Sequence, residues 1–266
     1  MPALNKQKHL WVNQRYFVTI FLTALLFFLS NIPNKLFAKK FEIRKTIEWE
    51  YSIKYHNMPA TSLKIFCEPE PKEEQFYKIR VFAKTHGVFS YLFKIDNYYE
   101  TLLQTESFLP VVFTKKINQK NIKQSWTMRY LENKAIIDTS RQWEVPEMCH
   151  NYFSMLFFLR SQPLLLDEKY VFFLDVEYLC WRVIATVAPI DTLEISSNKI
   201  RAIKLILQYE NIYPDRKERP WKTDLLTNRI AGKSKTMNLW YSADSERILL
   251  KVVYDENTSM QLKQIK

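Results

Sequence analysis

The sequence predicts a mainly β fold: an antiparallel meander forming a curved sheet or incomplete barrel with one buried helix. Three observations carry this. Apolar and polar residues alternate with a period of two in segment after segment, the signature of strands with one buried face. The 266 residues include 18 Phe, 15 Tyr and 7 Trp but only two glycines, a composition that favours strands around a bulky core. One segment is apolar nearly all round at helical spacing, which suits a helix enclosed by a concave sheet.

Residues 1–38 are expected to be an export leader. Lys6, Lys8 and Arg15 precede the apolar run from Tyr16 to Leu29, and Asn31, Pro33 and Leu36-Phe37-Ala38 follow it. The run is shorter than the roughly 18–20 apolar residues of a membrane span, so cleavage after Ala38 is the expectation. An uncleaved anchor in the inner membrane is the alternative, because Leu36 is bulky for the upstream position of a processing site. The basic flank stays inside, so residues 39–266 are expected to be a single β-rich periplasmic domain.

Ile47, Trp49, Tyr51, Ile53 and Tyr55 alternate with Glu48, Glu50, Ser52 and Lys54, which predicts the first strand. The same period recurs over Tyr77 to Ala83, Ile122 to Tyr130 and Ile248 to Tyr254. Shorter candidates lie at Ser62 to Cys67, Phe89 to Ile95, Tyr99 to Thr105, Val111 to Ile117, Tyr170 to Val176, Trp181 to Val187, Ile200 to Tyr209 and Met237 to Tyr241. About a dozen strands with short breaks imply a meander rather than βαβ units. Pro146-Glu147 predicts a helix start, and Met148 to Arg160 then runs without Gly or Pro.

This order of features resembles the exported bacterial family known as domain of unknown function 3108. The resemblance rests on Trp49-Glu50-Tyr51-Ser52-Ile53, on Asn151 to Arg160, and on Leu239-Trp240-Tyr241-Ser242-Ala243-Asp244-Ser245-Glu246-Arg247-Ile248. It implies a signal-led periplasmic β domain related in shape to lipoprotein-carrier half-barrels, and it implies no settled activity.

Composition excludes several chemistries. Phosphate-cradling loops and the Gly-x-Ser-x-Gly elbow need clustered glycines, whereas Gly87 and Gly232 stand alone. His56, His86 and His150 fall in no metal-ligand spacing, so no metal and no cofactor is expected. Cys67, Cys149 and Cys180 are an odd number beside apolar neighbours and imply no disulfide framework. Cys149-His150, adjacent on the predicted helix, point about 100° apart and cannot pair as nucleophile and base. Glu48 and Glu50 read as a solvated row rather than a glycosidase pair. No catalytic residue is expected.

Losing residues 1–38, which hold four basic and no acidic side chains, lowers the formal charge from +11 to +7. The charges are dispersed, and the densest cluster, Asp215 to Lys222, carries prolines that mark a loop. Export removes the chain from nucleic acid, and membrane contact is expected only through the leader or surface charge. The functional expectation is a non-catalytic envelope protein that binds a lipid or other amphipathic molecule, an amphipathic glycan included. Trp126, Tyr130, Phe153 and Phe157 are the candidate lining of its cavity. The alternative is a structural or assembly component docking on another envelope protein.

Overall fold

The structure is a computed structural model that describes residues 43, 45–87, 89–232 and 235–263. The expected leader and its processing point after Ala38 lie outside the described residues. The alternating segments form strands. β1 (Ile47–Tyr55), β2 (Met58–Pro69), β3 (Phe76–Thr85), β4 (Asp96–Gln104), β5 (Pro110–Gln119) and β6 (Ile122–Leu131) pair antiparallel in succession. The short strands β7 (Lys134–Ile136) and β8 (Gln142–Glu144) extend that run, and β9 (Cys149–Asn151) follows. The second half comprises β10 (Lys169–Val176), β11 (Leu179–Val187), β12 (Asp191–Ile195), β13 (Asn198–Asn211), β14 (Thr236–Ser242), β15 (Leu249–Asp255) and β16 (Thr258–Leu262). Helices are few: single turns α1 (Phe89–Leu92) and α3 (Thr227–Ile230), and the longer α2 (Ser154–Ser161).

All strands belong to one sixteen-stranded sheet, ordered β8-β7-β6-β5-β4-β3-β2-β1-β16-β15-β14-β13-β11-β10-β9, with β12 beside β13. First and last strands pair at its centre, from Tyr51 opposite Leu262 to Tyr55 opposite Thr258. The two outer strands, β8 and β9, are separated in the chain only by residues 145–148. That linker spans at most about 18 Å, so so wide a sheet must curl until its edges approach. The result is a curved, unclosed sheet whose seam is bridged by side chains.

Scarce glycine shows in the hairpins. Two-residue loops that match the strand twist need positive φ at both positions. His56-Asn57 (47° and 64°), Glu177-Tyr178 (54° and 85°) and Ser196-Ser197 (48° and 67°) adopt it without a glycine. For non-glycine residues such backbone is strained, and it persists only where packing on either side holds it.

Helix α2 lies against the inner face of the sheet. Phe157 stacks on Trp49 of β1 at 5.7 Å, and the Tyr241 hydroxyl of β14 donates to the Leu156 carbonyl at 2.9 Å. Arg160, buried near the helix end, lies 4.9 Å above the Trp49 ring and donates to the carbonyls of Glu246 and Arg247. The helix is therefore bolted both to β1 and to the β14–β15 turn.

The helix is shorter than its apolar run. Met148 takes a left-handed φ of 55°, and Cys149–Asn151 form β9, which pairs in parallel with Phe173–Asp175 of β10. The helix starts instead beyond Asn151, whose Oδ1 accepts the N–H groups of Phe153 and Ser154 at 3.0 and 2.8 Å. Pro146-Glu147 is not its start. The expected strand at Phe89 to Ile95 is likewise corrected. Its first part is the turn α1, with Phe93 N–H donating to the Phe89 carbonyl at 2.9 Å, and Ile95 makes only an isolated bridge to Gln119.

Candidate functional site

The β1–β2, β5–β6 and β15–β16 turns and the Glu177-Tyr178 turn gather at one end of the curved sheet. Between β13 and β14, residues 212–232 cross the same end. A connection that long without a strand of its own is uncommon and usually functional. Beneath it is a cavity of about 260 Å³. Its walls are the inward side chains Ile53 and Tyr55 of β1, Ala60 and Thr61 of β2, Ala83 of β3, Asn97 and Tyr99 of β4, Gln119 of β5, Tyr254 of β15 and Thr258 of β16. Phe93, Ile95, Leu225, Leu226 and Arg229 close it from above. The space exists because the inward side chains shrink from Ile79 and Val81 to Ala83 along β3 as the barrel end approaches.

Most polar groups around this cavity are engaged. Asn97 donates to the Tyr99 hydroxyl at 2.9 Å and accepts from the Asn118 N–H at 3.3 Å. The Tyr99 hydroxyl in turn donates to Asp224 at 2.9 Å. At the rim, Arg229 pairs with Asp255 and lies 5.7 Å over the Tyr55 ring. Gln119 differs. Its side chain is buried, and among the described residues its Nε2 has no hydrogen-bond partner; the buried Thr258 hydroxyl of the same wall has none either.

The crossing connection is anchored by an ionic cluster in the interior. Lys115 of β5, fully buried, pairs with both Glu177 and Asp224 and donates to the hydroxyls of Thr223 at 2.8 Å and Thr227 at 3.2 Å. Thr223 also donates to Glu177 at 2.6 Å, and Thr227 to Asp224 at 2.6 Å. Burial alone would raise the Asp224 carboxyl, but Lys115 beside it overrides that and holds it below the ordinary carboxylate range. Two carboxylates against one ammonium leave an excess negative charge. Arg219 lies nearby and fixes its guanidinium on the Val176 carbonyl at 2.7 and 3.0 Å. Every N–H of Lys115 is committed, so the cluster offers a fastening rather than a nucleophile.

The four side chains read from the sequence as a wall do not line one surface, although Trp126 and Phe153 both pack on Phe113, at 5.6 and 6.3 Å. Trp126 packs edge-on to Phe113 at 5.6 Å and stands 5.5 Å from the Lys115 ammonium. Tyr130 donates to Asp175 at 3.0 Å at the seam. Phe157 is in the helix stack on Trp49. Phe153 lines a void of about 30 Å³ between α2 and the sheet that shares Leu226 and Tyr254 with the larger cavity. None of the four lines the larger cavity. Sequence reading missed Gln119, Lys115, Glu177, Asp224 and Arg229. For Lys115 and Gln119 a signal existed, because both fall in the inward phase of β5 with Phe113 and Ile117.

Cys67, Cys149 and Cys180 are buried free thiols. Cys180 donates to the Glu144 carbonyl at 3.8 Å and to Asp175 at 3.6 Å, and burial raises the Cys149 thiol. His150 lies on β9 rather than a helix. Burial lowers its pKa to about 4, and its ring is tilted against Phe158 at 4.5 Å. The Cys149 thiol faces the His150 carbonyl at 3.7 Å and not its ring.

Together these features define a barrel-like β protein with an enclosed end. Residues 50–260 match the family described as "Protein of unknown function (DUF3108)", and the chain belongs to that family. Among solved structures it is similar to the "Beta-barrel-like Protein of Domain of Unknown Function DUF1849 from Brucella abortus". The TM-score is 0.52 at 11% identity, with 84% of this chain and 98% of that one covered, a likeness of fold alone. No curated protein matches the sequence.

Proposed function

We propose that the protein is a non-catalytic component of the bacterial envelope that holds an apolar or amphipathic molecule in the cavity under residues 212–232. The observation that carries this reading is the cavity itself: about 260 Å³, walled chiefly by Ile53, Ala60, Ala83, Phe93 and Leu226, at the end of a barrel-like sheet. Ligand sites are concave, mostly apolar and fitted with a few oriented polar groups, and Gln119 and Arg229 are placed as such groups. Location in the periplasm rests on the basic and apolar pattern of residues 1–38. The non-catalytic reading rests on the commitment of Lys115, Glu177 and Asp224 to one another and on the His150 ring facing Phe158.

The test is to purify the protein from the envelope fraction without detergent exchange, extract it with organic solvent and analyse the extract by mass spectrometry. An apolar or amphipathic molecule recovered in stoichiometric amount is expected. A protein that emerges empty and binds no hydrophobic dye contradicts the reading. A second reading, docking on another envelope protein, is favoured by the exposed apolar side chains Leu165, Leu166 and Ile190. Crosslinking in cells that traps one protein partner through these residues would support it.

A further inference from the structure

Resting on the cavity reading above, we propose that the ligand is a single-chain amphipath whose carbonyl or carboxyl oxygen accepts a hydrogen bond from the Gln119 side-chain amide. Gln119 ends β5 with its side chain in the cavity wall and only 6% exposed, and its Nε2 has no acceptor among the described residues. A buried amide N–H left without an acceptor is costly, and native proteins rarely leave one so. None of the neighbouring polar side chains bonds it, the buried Thr258 hydroxyl included, which itself has no partner among the described residues. Asn97, Tyr99 and Asp224 are engaged with one another, and Arg229 can only donate. The missing acceptor is therefore sought in the ligand.

Volume limits the rest of that ligand. About 260 Å³ falls just below the roughly 300–1,000 Å³ of sites that enclose drug-sized ligands, enough for one narrow chain and too little for two. Ala60 and Ala83, with Ile53 and Phe93, give the wall an apolar surface for methylene groups. At the rim, one arm of the Arg229 guanidinium pairs with Asp255 and the remaining N–H groups are positioned to meet a polar head. A free fatty acid and an acyl ester share this chemistry, an apolar chain ending in an acceptor oxygen.

The experiment is displacement of a hydrophobic naphthalene dye from the full chain, purified as it accumulates in cells. The displacing probes are decanoic acid, methyl decanoate, decane and a two-chain didecanoyl phosphatidylcholine. The acid or the ester should displace the dye more tightly than decane, and the two-chain lipid should not compete. Gln119→Met, which keeps the length and removes the donor, should weaken the oxygen-bearing probes about three- to tenfold and leave decane unchanged. Displacement by the acid alone assigns a free carboxylate, and displacement by both assigns an esterified carbonyl. Either supports the proposal. It is overturned if decane matches both the acid and the ester on the wild-type protein, a comparison that needs no variant, or if Gln119→Met changes nothing. In those cases dye binding persists and the cavity reading stands. If the wild-type protein binds neither dye nor probe, the cavity reading itself fails.

Discussion

The indole N–H of Trp143 on β8 donates to the Asp175 carboxyl on β10 at 3.0 Å, joining strands from the two sides of the seam. Tyr130 on β6 reaches the other oxygen of the same carboxyl at 3.0 Å, and the Tyr178 N–H adds a third bond at 3.2 Å. A sheet that does not close by backbone pairing is bridged here by one buried acid, alongside the Asn151–Thr101 and Lys115–Glu177 contacts. Removing either side-chain donor leaves that acid short of a partner. Trp143→Phe and Tyr130→Phe are each expected to cost about 1–3 kcal/mol in urea unfolding, with a double-mutant cycle showing coupling. Two additive, near-neutral substitutions would show that the seam is held elsewhere.

The pH dependence of stability follows from two buried groups with opposite signs. Burial raises Asp175 to about 6 from an ordinary 3.8, against the lowering effect of its Trp143 and Tyr130 bonds. The folded state therefore binds the extra proton between about pH 4 and 6, and stability from this group is present at low pH and lost as pH rises through that window. Burial lowers His150 to about 4 from 6.5, so there the unfolded state binds the extra proton and stability is lost as pH falls. The two oppose each other between about pH 6 and 4. Asp175→Asn should make the protein more acid-sensitive over that range than wild type, and His150→Gln should make it less so. Parallel curves for all three proteins would exclude both assignments.

Lys115 should be the costliest single polar side chain to remove. Lys115→Met leaves Glu177 and Asp224 buried without their cation and is expected to cost about 3–5 kcal/mol. Neutralising the carboxylates as well, with Glu177→Gln and Asp224→Asn, should recover part of that loss. A triple variant less stable than Lys115→Met would contradict the cluster's electrostatic account.

For Cys149 and His150 a structural role separates cleanly from a catalytic one. The double variant Cys149→Ala/His150→Gln should lose about 1–3 kcal/mol of stability. Its complementation of a deletion strain should follow protein abundance on the same curve as the core variant Leu156→Ala. An abundant double variant that fails to complement would mean that the pair does chemistry.

Much of the sheet was legible because alternation is a local property, as in Ile47 to Tyr55, where the apolar and polar phases separate residue by residue. What hid β9 was its brevity. Cys149–Asn151 is three residues long, and its pairing with β10 depends on a left-handed Met148 and on Asn151 capping the helix, neither of which leaves a periodic trace. The pairing of β1 with β16 joins residues some 200 positions apart, as at Tyr55 and Thr258, and no local pattern reports it. The site was missed for a different reason. Aromatic residues such as Trp126 and Phe157 turned out to fill the core, whereas the cavity is made by small residues, Ala60 and Ala83, and by polar ones in the inward phase. Lys115 and Gln119 follow the phase of Phe113 and Ile117, and that phase, rather than their polarity, decides where they point. Asp224 and Arg229 lie in a connection with no period, where only the tertiary structure places them.

The most direct test of the account fills the cavity. Ala83→Phe puts a ring where the wall is a methyl group, near the end of β3 opposite Leu63 and Asn97 on the neighbouring strands. The measurement is the stoichiometry and affinity of a hydrophobic dye on wild-type and variant proteins of comparable melting temperature. One dye per wild-type chain and its loss in Ala83→Phe is the expected result. Equal dye binding by both proteins would place the apolar site elsewhere and contradict the account.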